Sequence, residues 1–313
     1  MALSIDVDTL YFEFPDVHVD AELKVSFHRT VRVPDDGNEY PLPPSLGRFP
    51  LRVVDDRPVL PVWQSEACWI KFDTRYPFLV KVGAGDIDAV TGGPWTPGPD
   101  FEAEDYLEVP AQPWIDGFGA DGDAVRQFVA MPLGAGYTVE EQLARGPASG
   151  GIRIAVSPMR AEVYDRRRDI ADSRPPVMTF ASPVPDGMGV GAGGSISQRI
   201  ASPVEERRVW DLDHRTAVHV ALINSEQWES LTGAAPPTEP ITAREYTERG
   251  YPWFELYDES VARRASATLP GVDSVDSVAE VLARRGEGPL PSNESVEVPE
   301  PIRIRPRGRR RRG

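Results

Sequence analysis

Apolar and polar positions alternate through residues 9–14 (Thr-Leu-Tyr-Phe-Glu-Phe) and 21–33 (Ala-Glu-Leu-Lys-Val-Ser-Phe-His-Arg-Thr-Val-Arg-Val), the two-residue period of a strand with one buried face. The same reading predicts strands over 49–54, 66–72, 77–90, 125–131, 151–157 and 216–223, with Asp-Thr-Arg-Tyr-Pro at 73–77 joining two of them. The chain holds 32 prolines and 27 glycines, which cut it into short segments and leave little room for long helices. Where helices are predicted, their start signals carry the argument. Thr138-Val-Glu-Glu141 is a capping box ended by Gly146. Thr242-Ala-Arg-Glu245 is a second box, with Ile241 packing on Tyr246, and predicts a helix from about 243 to 249 before Gly250 and Pro252. Ser277-Val-Ala-Glu280 predicts a third helix ending at Gly286, and Ser225 caps a fourth at 226–231.

These elements predict a β-rich α+β chain. Residues 1–165 form an antiparallel domain, sandwich or barrel-like, and 166–209 a Pro/Gly-rich connecting excursion. A smaller α+β portion follows at 210–285, packed on the first. Residues 286–313 are expected to form a disordered tail, because so little apolar area cannot offset the entropy of ordering.

Charge is distributed unevenly. The formal net charge is −15, yet the last thirteen residues hold seven arginines, at 303, 305, 307 and 309–312, and no acid. The remainder carries 27 basic against 49 acidic residues, a charge of −22. Such a body repels nucleic acid and anionic membranes, whereas the tail is suited to a weak electrostatic contact with anionic partners or with the body itself. The longest apolar run, Ala217–Ile223 interrupted by His219, is far short of the roughly 20 residues that span a bilayer, so membrane insertion is not expected. Acids near the N-terminus and the lone Cys68 predict a cytoplasmic protein without an intrachain disulfide.

Several stretches together resemble a family of bacterial proteins without an assigned activity. They include Arg29-Thr-Val-Arg-Val-Pro-Asp-Asp-Gly37, Gln64-Ser-Glu-Ala-Cys-Trp-Ile-Lys-Phe72 and Tyr106-Leu-Glu-Val-Pro-Ala-Gln-Pro-Trp-Ile-Asp-Gly117. Arg126-Gln-Phe-Val-Ala-Met-Pro-Leu-Gly-Ala-Gly-Tyr-Thr-Val-Glu-Glu-Gln142 and Thr242-Ala-Arg-Glu-Tyr-Thr-Glu-Arg-Gly-Tyr-Pro-Trp-Phe254 complete the set. The resemblance implies no activity, substrate or catalytic residue.

Candidate chemistry is sparse. Gly189-Val-Gly191-Ala-Gly-Gly194 fits the dinucleotide pattern G-x-G-x-x-G, but Pro183-Val-Pro-Asp-Gly precedes it instead of a buried strand. The preferred reading is a loop that packs its backbone closely or gates a ligand, through Gly191 and Gly194. Asp211-Leu-Asp213-His214, with His219 beyond, could hold a metal, yet reads more simply as a polar turn entering the strand at 216. Cys68 shares a strand face with Glu66, which raises a thiol pKa and disfavours nucleophilic attack. No cofactor and no metal is therefore expected.

Seven tryptophans, at 63, 69, 95, 114, 210, 228 and 253, are candidates either for edge packing or for a groove. Trp114, Asp116, Gln127 and Glu66 are the polar and aromatic residues whose convergence in one concavity would mark a site. The leading expectation is a binding or structural protein for an unknown protein or small-molecule ligand. The alternative is a hydrolase-like enzyme using carboxylates in a cleft of the β domain.

Overall fold

A computed structural model of the chain describes residues 2–41, 43, 45–119, 124–144, 146–168, 187–198, 200–225, 228, 229, 233–239, 254–256, 268–285 and 302–304. The N-terminal alternation folds as a meander. Strand β1 (Ala2–Asp6) turns back on β2 (Thr9–Glu13) with Asp6 opposite Thr9, and β2 pairs with β3 (Glu22–Thr30). Short β4 (Glu39–Tyr40) is followed by the hairpin of β5 (Arg52–Val54) and β6 (Arg57–Val62). Asp55 and Asp56 at its tip both take positive φ, at 49° and 60°, the backbone that a tight two-residue hairpin demands.

Strand β7 (Ala67–Asp73) leads through 74–77 into β8 (Phe78–Ala84) and β9 (Ile87–Asp88). After a long loop come β10 (Leu107–Val109), β11 (Trp114–Ile115), β12 (Gly117–Gly119) and β13 (Ala124–Pro132). Helix α1 (Val139–Leu143) carries the predicted capping box on Thr138 and Glu141. Then follow β14 (Ile152–Pro158), α2 (Ala161–Arg168), β15 (Gly187–Ser197) and β16 (Thr216–Asn224). Strand β17 (Phe254–Leu256), helix α3 (Val275–Arg284) and β18 (Ile302–Ile304) complete the described elements, β17 and β18 forming a separate parallel pair.

The main strands run in the order β1-β2-β3-β7-β13-β15-β16-β14-β8-β10. Strand β16 turns the corner between two layers. Its residues 216–220 pair with β14, whereas 221–224 lie parallel to β6 and Leu222 and Ile223 meet β15. The row ends on β1 and β10, which do not pair with each other, so the architecture is sandwich-like and not a closed barrel. Leu10, Phe12, Leu23, Val25, Phe27, Ile70 and Phe72 from one layer meet Phe78, Val80, Val82, Ile154, Val156 and Val220 from the other in a single core. Each fully buried side chain of this size contributes ~1.5–3 kcal/mol by leaving water.

Two expectations, the loop at the glycine run and the start of the last helix, are corrected by the structure, which also gives the place of β16. The glycine run is not a loop but strand β15, bonded along β13. Met188, Val190, Ala192 and Ile196 occupy alternate positions along it and are buried, while the glycines admit close neighbours: a Cβ on Gly194 would collide with the Pro34 carbonyl, and one on Gly193 would lie 2.6 Å from Val129 Cγ2. Strand β16, from the C-terminal portion, sits between β14 and β15 within the main layers. Helix α3 begins before the predicted Ser277, because Ser274 is its N-cap and its hydroxyl accepts the Ser277 N–H at 3.1 Å. The predicted helix at 243–249, most of the one at 226–231 and the arginines at 305–312 lie outside the described residues.

Candidate ligand-binding cavity

Beyond Pro158 the backbone of β14 continues its pairing with a segment preceding β16. The Asp211 N–H donates to the Pro158 carbonyl and the Arg160 N–H to the Val209 carbonyl, each at 2.8 Å, with Met159 opposite Trp210. A turn of 3-10 helix, Arg207–Val209, leads into this ladder. A side-chain-stabilised turn leads out of it. Asp211 Oδ1 accepts the N–H groups of Asp213 and His214 at 3.2 and 3.3 Å, and Oδ2 lies 2.9 Å from His214 Nδ1. The Asp211–His214 cluster thus spends its carboxylate on its own backbone, as a polar turn into the strand does.

Between these two turns lies a cavity of about 520 Å³, within the usual range for small-molecule sites. Arg160, Arg207, Arg208, Glu206, Leu212 and Asp213 surround it, with the buried Trp210 beneath them. Trp210 is 1% exposed, and its indole Nε1 has no hydrogen-bond partner among the described residues. A buried indole N–H usually finds an acceptor, since leaving it without one costs ~1–3 kcal/mol.

The three guanidiniums are not equivalent. Arg208 Nε lies 2.7 Å from Glu206 Oε2, and Arg207 stands over the Phe101 ring, 5.4 Å from its centroid. Arg160 has no ion pair among the described residues. The frame around them is stiff. Tyr76, fully buried, donates to the Met159 carbonyl at 2.7 Å, and burial pushes its phenol pKa up. Glu108 accepts the N–H groups of Val204 and Glu205 at 2.9 Å, while Arg167 grips the Glu205 carboxylate with two nitrogens at 2.5 and 2.8 Å.

Of the residues named from the sequence, Trp210 and Asp213 line this cavity, whereas Trp114, Asp116, Gln127, Glu66, Gly191 and Gly194 lie elsewhere. Asp116 sits where β7 and β13 part, between β11 on one and β12 on the other. It is 1% exposed, and burial pushes its pKa up to about 8 despite a hydrogen bond from the Trp114 indole to Oδ2 at 3.0 Å. Gln198 Oε1 accepts the Asp116 N–H at 2.9 Å. Gln127 spends both ends of its amide on the chain after β3, donating to the Val31 carbonyl and accepting the Val33 N–H.

Glu66 is buried against Arg29, whose Nε and Nη2 lie 2.6 and 2.5 Å from Oε1, and Oε2 accepts the Trp63 N–H. Burial raises the Glu66 pKa, with Arg29 opposing. Gly191 packs against the Tyr137 carbonyl and Val275, and Gly194 against Pro34. Cys68 lies on β7 between Glu66 and Asp116, and burial, aided by both carboxylates, raises its thiol pKa.

A second polar cluster escapes the sequence reading. Lys81 is fully buried on β8, its ammonium paired with Asp105, 3.9 Å from Asp88 Oδ2 and 3.0 Å from the Gly98 carbonyl. Asp88 Oδ1 accepts from the N–H groups of Val90 and Thr91 and the Thr91 hydroxyl, and burial pushes its pKa up to about 6. The signal was a single lysine inside the apolar run Phe78-Leu-Val-Lys-Val-Gly-Ala84. For the cavity the signal was weaker: Trp210 stood among seven tryptophans, and no spacing links it to Arg160 fifty positions earlier. No protein-family model, curated protein or solved structure matches the chain.

Proposed function

We propose that this chain is a non-enzymatic, cytoplasmic ligand-binding protein whose site is the cavity bordered by Arg160, Arg207 and Leu212. The observation that carries the reading is a recess of small-molecule size whose lining combines the guanidiniums of Arg160, Arg207 and Arg208 with the aliphatic Leu212. The interior ionisable groups support it from the other side, because Glu66, Lys81 and Asp105 are already engaged by their own neighbours. A lone buried cysteine is consistent with a reducing compartment.

The hydrolytic alternative draws on Asp116, whose raised pKa would keep an acid protonated at neutral pH. It is disfavoured because Asp116 is 1% exposed and Glu66, its expected companion, is closed off by Arg29.

The test is a ligand-observed NMR screen of small aromatic and aliphatic fragments against the wild type and Leu212→Trp, a variant that fills the cavity. Fragments that bind the wild type and are lost in a folded Leu212→Trp support the reading. Binding that is indifferent to the substitution, or a screen without hits, overturns it.

A further inference from the structure

Lys81, Asp88 and Asp105 meet where β8, β9 and the approach to β10 lie side by side. Asp88 pairs opposite Gly83 of β8, and Asp105 stands two residues before Leu107, which pairs opposite Val80. All three side chains are buried, and the Lys81 ammonium lies 5.3 Å from the centroid of the Trp95 ring. Nζ is hydrogen-bonded to Asp105 Oδ2 and donates to the Gly98 carbonyl at 3.0 Å, which fixes its position. The other oxygen of that carboxyl group, Asp105 Oδ1, accepts the Asp100 N–H at 2.8 Å. A nucleophilic nitrogen is thus held against a carboxyl group that is polarised from its far oxygen, the arrangement acyl transfer uses.

Asp88 adds a proton acceptor. Its Oδ1 is occupied by Val90 and Thr91, whereas Oδ2 has no hydrogen bond among the described residues and lies 3.9 Å from Lys81 Nζ. Burial pushes the Asp88 pKa up to about 6, so near neutrality this carboxyl group can take up a proton and give it back. The surroundings also favour the product. In water an ammonium and a carboxylate outlast the amide they could form, because both ions are strongly hydrated. In a dry site that hydration is gone, and condensation replaces two buried charges by a neutral amide.

We propose that Lys81 and Asp105 condense into an intramolecular isopeptide bond, with Asp88 carrying a proton from the attacking nitrogen to the departing oxygen. Within the ion pair a proton passes from the ammonium to Asp105, leaving an amine and a carboxylic acid. The Nζ lone pair attacks Cγ of Asp105, Asp88 takes a proton from the nitrogen and returns it to the Asp105 hydroxyl, and the Cγ–O bond breaks to release water. One C–N bond forms and one C–O bond breaks, and nothing is oxidised or reduced. The reaction runs once per chain and is independent of the ligand site. It ties β8 covalently to the segment entering β10, the strand that ends the row, and so restricts the unfolded chain as a disulfide does.

Mass spectrometry of the purified full chain decides it. The intact wild type, unfolded in denaturant, should weigh one water less than its sequence. Trypsin should spare the Lys81–Val82 bond, because an acylated lysine carries no charge, and should release residues 76–126 as one peptide short of one water, with fragmentation placing the link between Lys81 and Asp105. Asp105→Ala should restore the full mass and cleavage after Lys81. Asp88→Asn, of the same shape, should leave most chains uncondensed while its circular dichroism matches the wild type. A folded wild type at full mass, cut after Lys81, overturns the proposal without reference to any variant. A water deficit that persists in Asp105→Ala overturns it too, since the loss then arises elsewhere in the chain. Condensation in Asp88→Asn as complete as in the wild type overturns the role given to Asp88.

Discussion

The Trp114 indole donates to Asp116 Oδ2 at 3.0 Å inside the wedge where β7 and β13 separate, on a carboxyl group that is 1% exposed. Burial holds the Asp116 pKa near 8, against 3.8 for an ordinary aspartate. The folded state therefore holds a proton that the unfolded state has released, and stability is fully present below pH 3.8 and is lost as pH rises toward 8. Asp116→Asn keeps an acceptor for Trp114 and removes the titration. Urea denaturation across this window should show the wild type losing stability relative to Asp116→Asn with a slope of about one proton, and parallel pH profiles would contradict the assignment.

The close approach of Gly194 to the Pro34 carbonyl predicts a position-specific cost for a methyl group. Gly194→Ala must move backbone, which has no rotamer to yield, and should lower stability by about 3 kcal/mol or more. Gly271→Ala, at an exposed site with nothing within 4 Å of the added carbon, should stay within about 0.5 kcal/mol of the wild type. Thermal melts of the two variants make the comparison.

In the ion-paired form, Lys81 supplies the positive charge for two buried carboxylates. Lys81→Met leaves Asp105 and Asp88 without it and should cost about 3–5 kcal/mol in chemical denaturation. Adding Asp105→Asn should recover part of that loss, because the second change removes the charge that the first exposed. Losses that simply add would indicate that the lysine acts through packing alone.

How much of this was legible in the sequence follows from what side-chain periodicity can encode. Strands β2, β3, β7, β13 and β16 alternate or carry uninterrupted apolar runs, and the capping box of α1 is a local bonding pattern, so both were readable. Strand β15 was masked by its glycines, which fit a dinucleotide-loop pattern and obscure the two-residue period of Met188, Val190, Ala192 and Ile196, and the neighbours that require glycine there, Pro34, Val129 and Gln127, come from distant parts of the chain. Short β10, β11 and β12 fall below the length at which a period shows.

The cavity was hidden for a related reason. It depends on a pairing between Met159 and Trp210 that creates neighbours from segments with no common motif. Glu66 and Gln127 looked available because a sequence does not display Arg29 or the Val31–Val33 backbone beside them.

The most direct test of the ligand site is the backbone ¹H–¹⁵N spectrum of the labelled protein, followed as a fragment found in the screen is added, with Arg160, Leu212 and Asp213 assigned. The account predicts shifts at these three residues that saturate together and are lost in Leu212→Trp. Saturating shifts confined to residues away from this recess would contradict it.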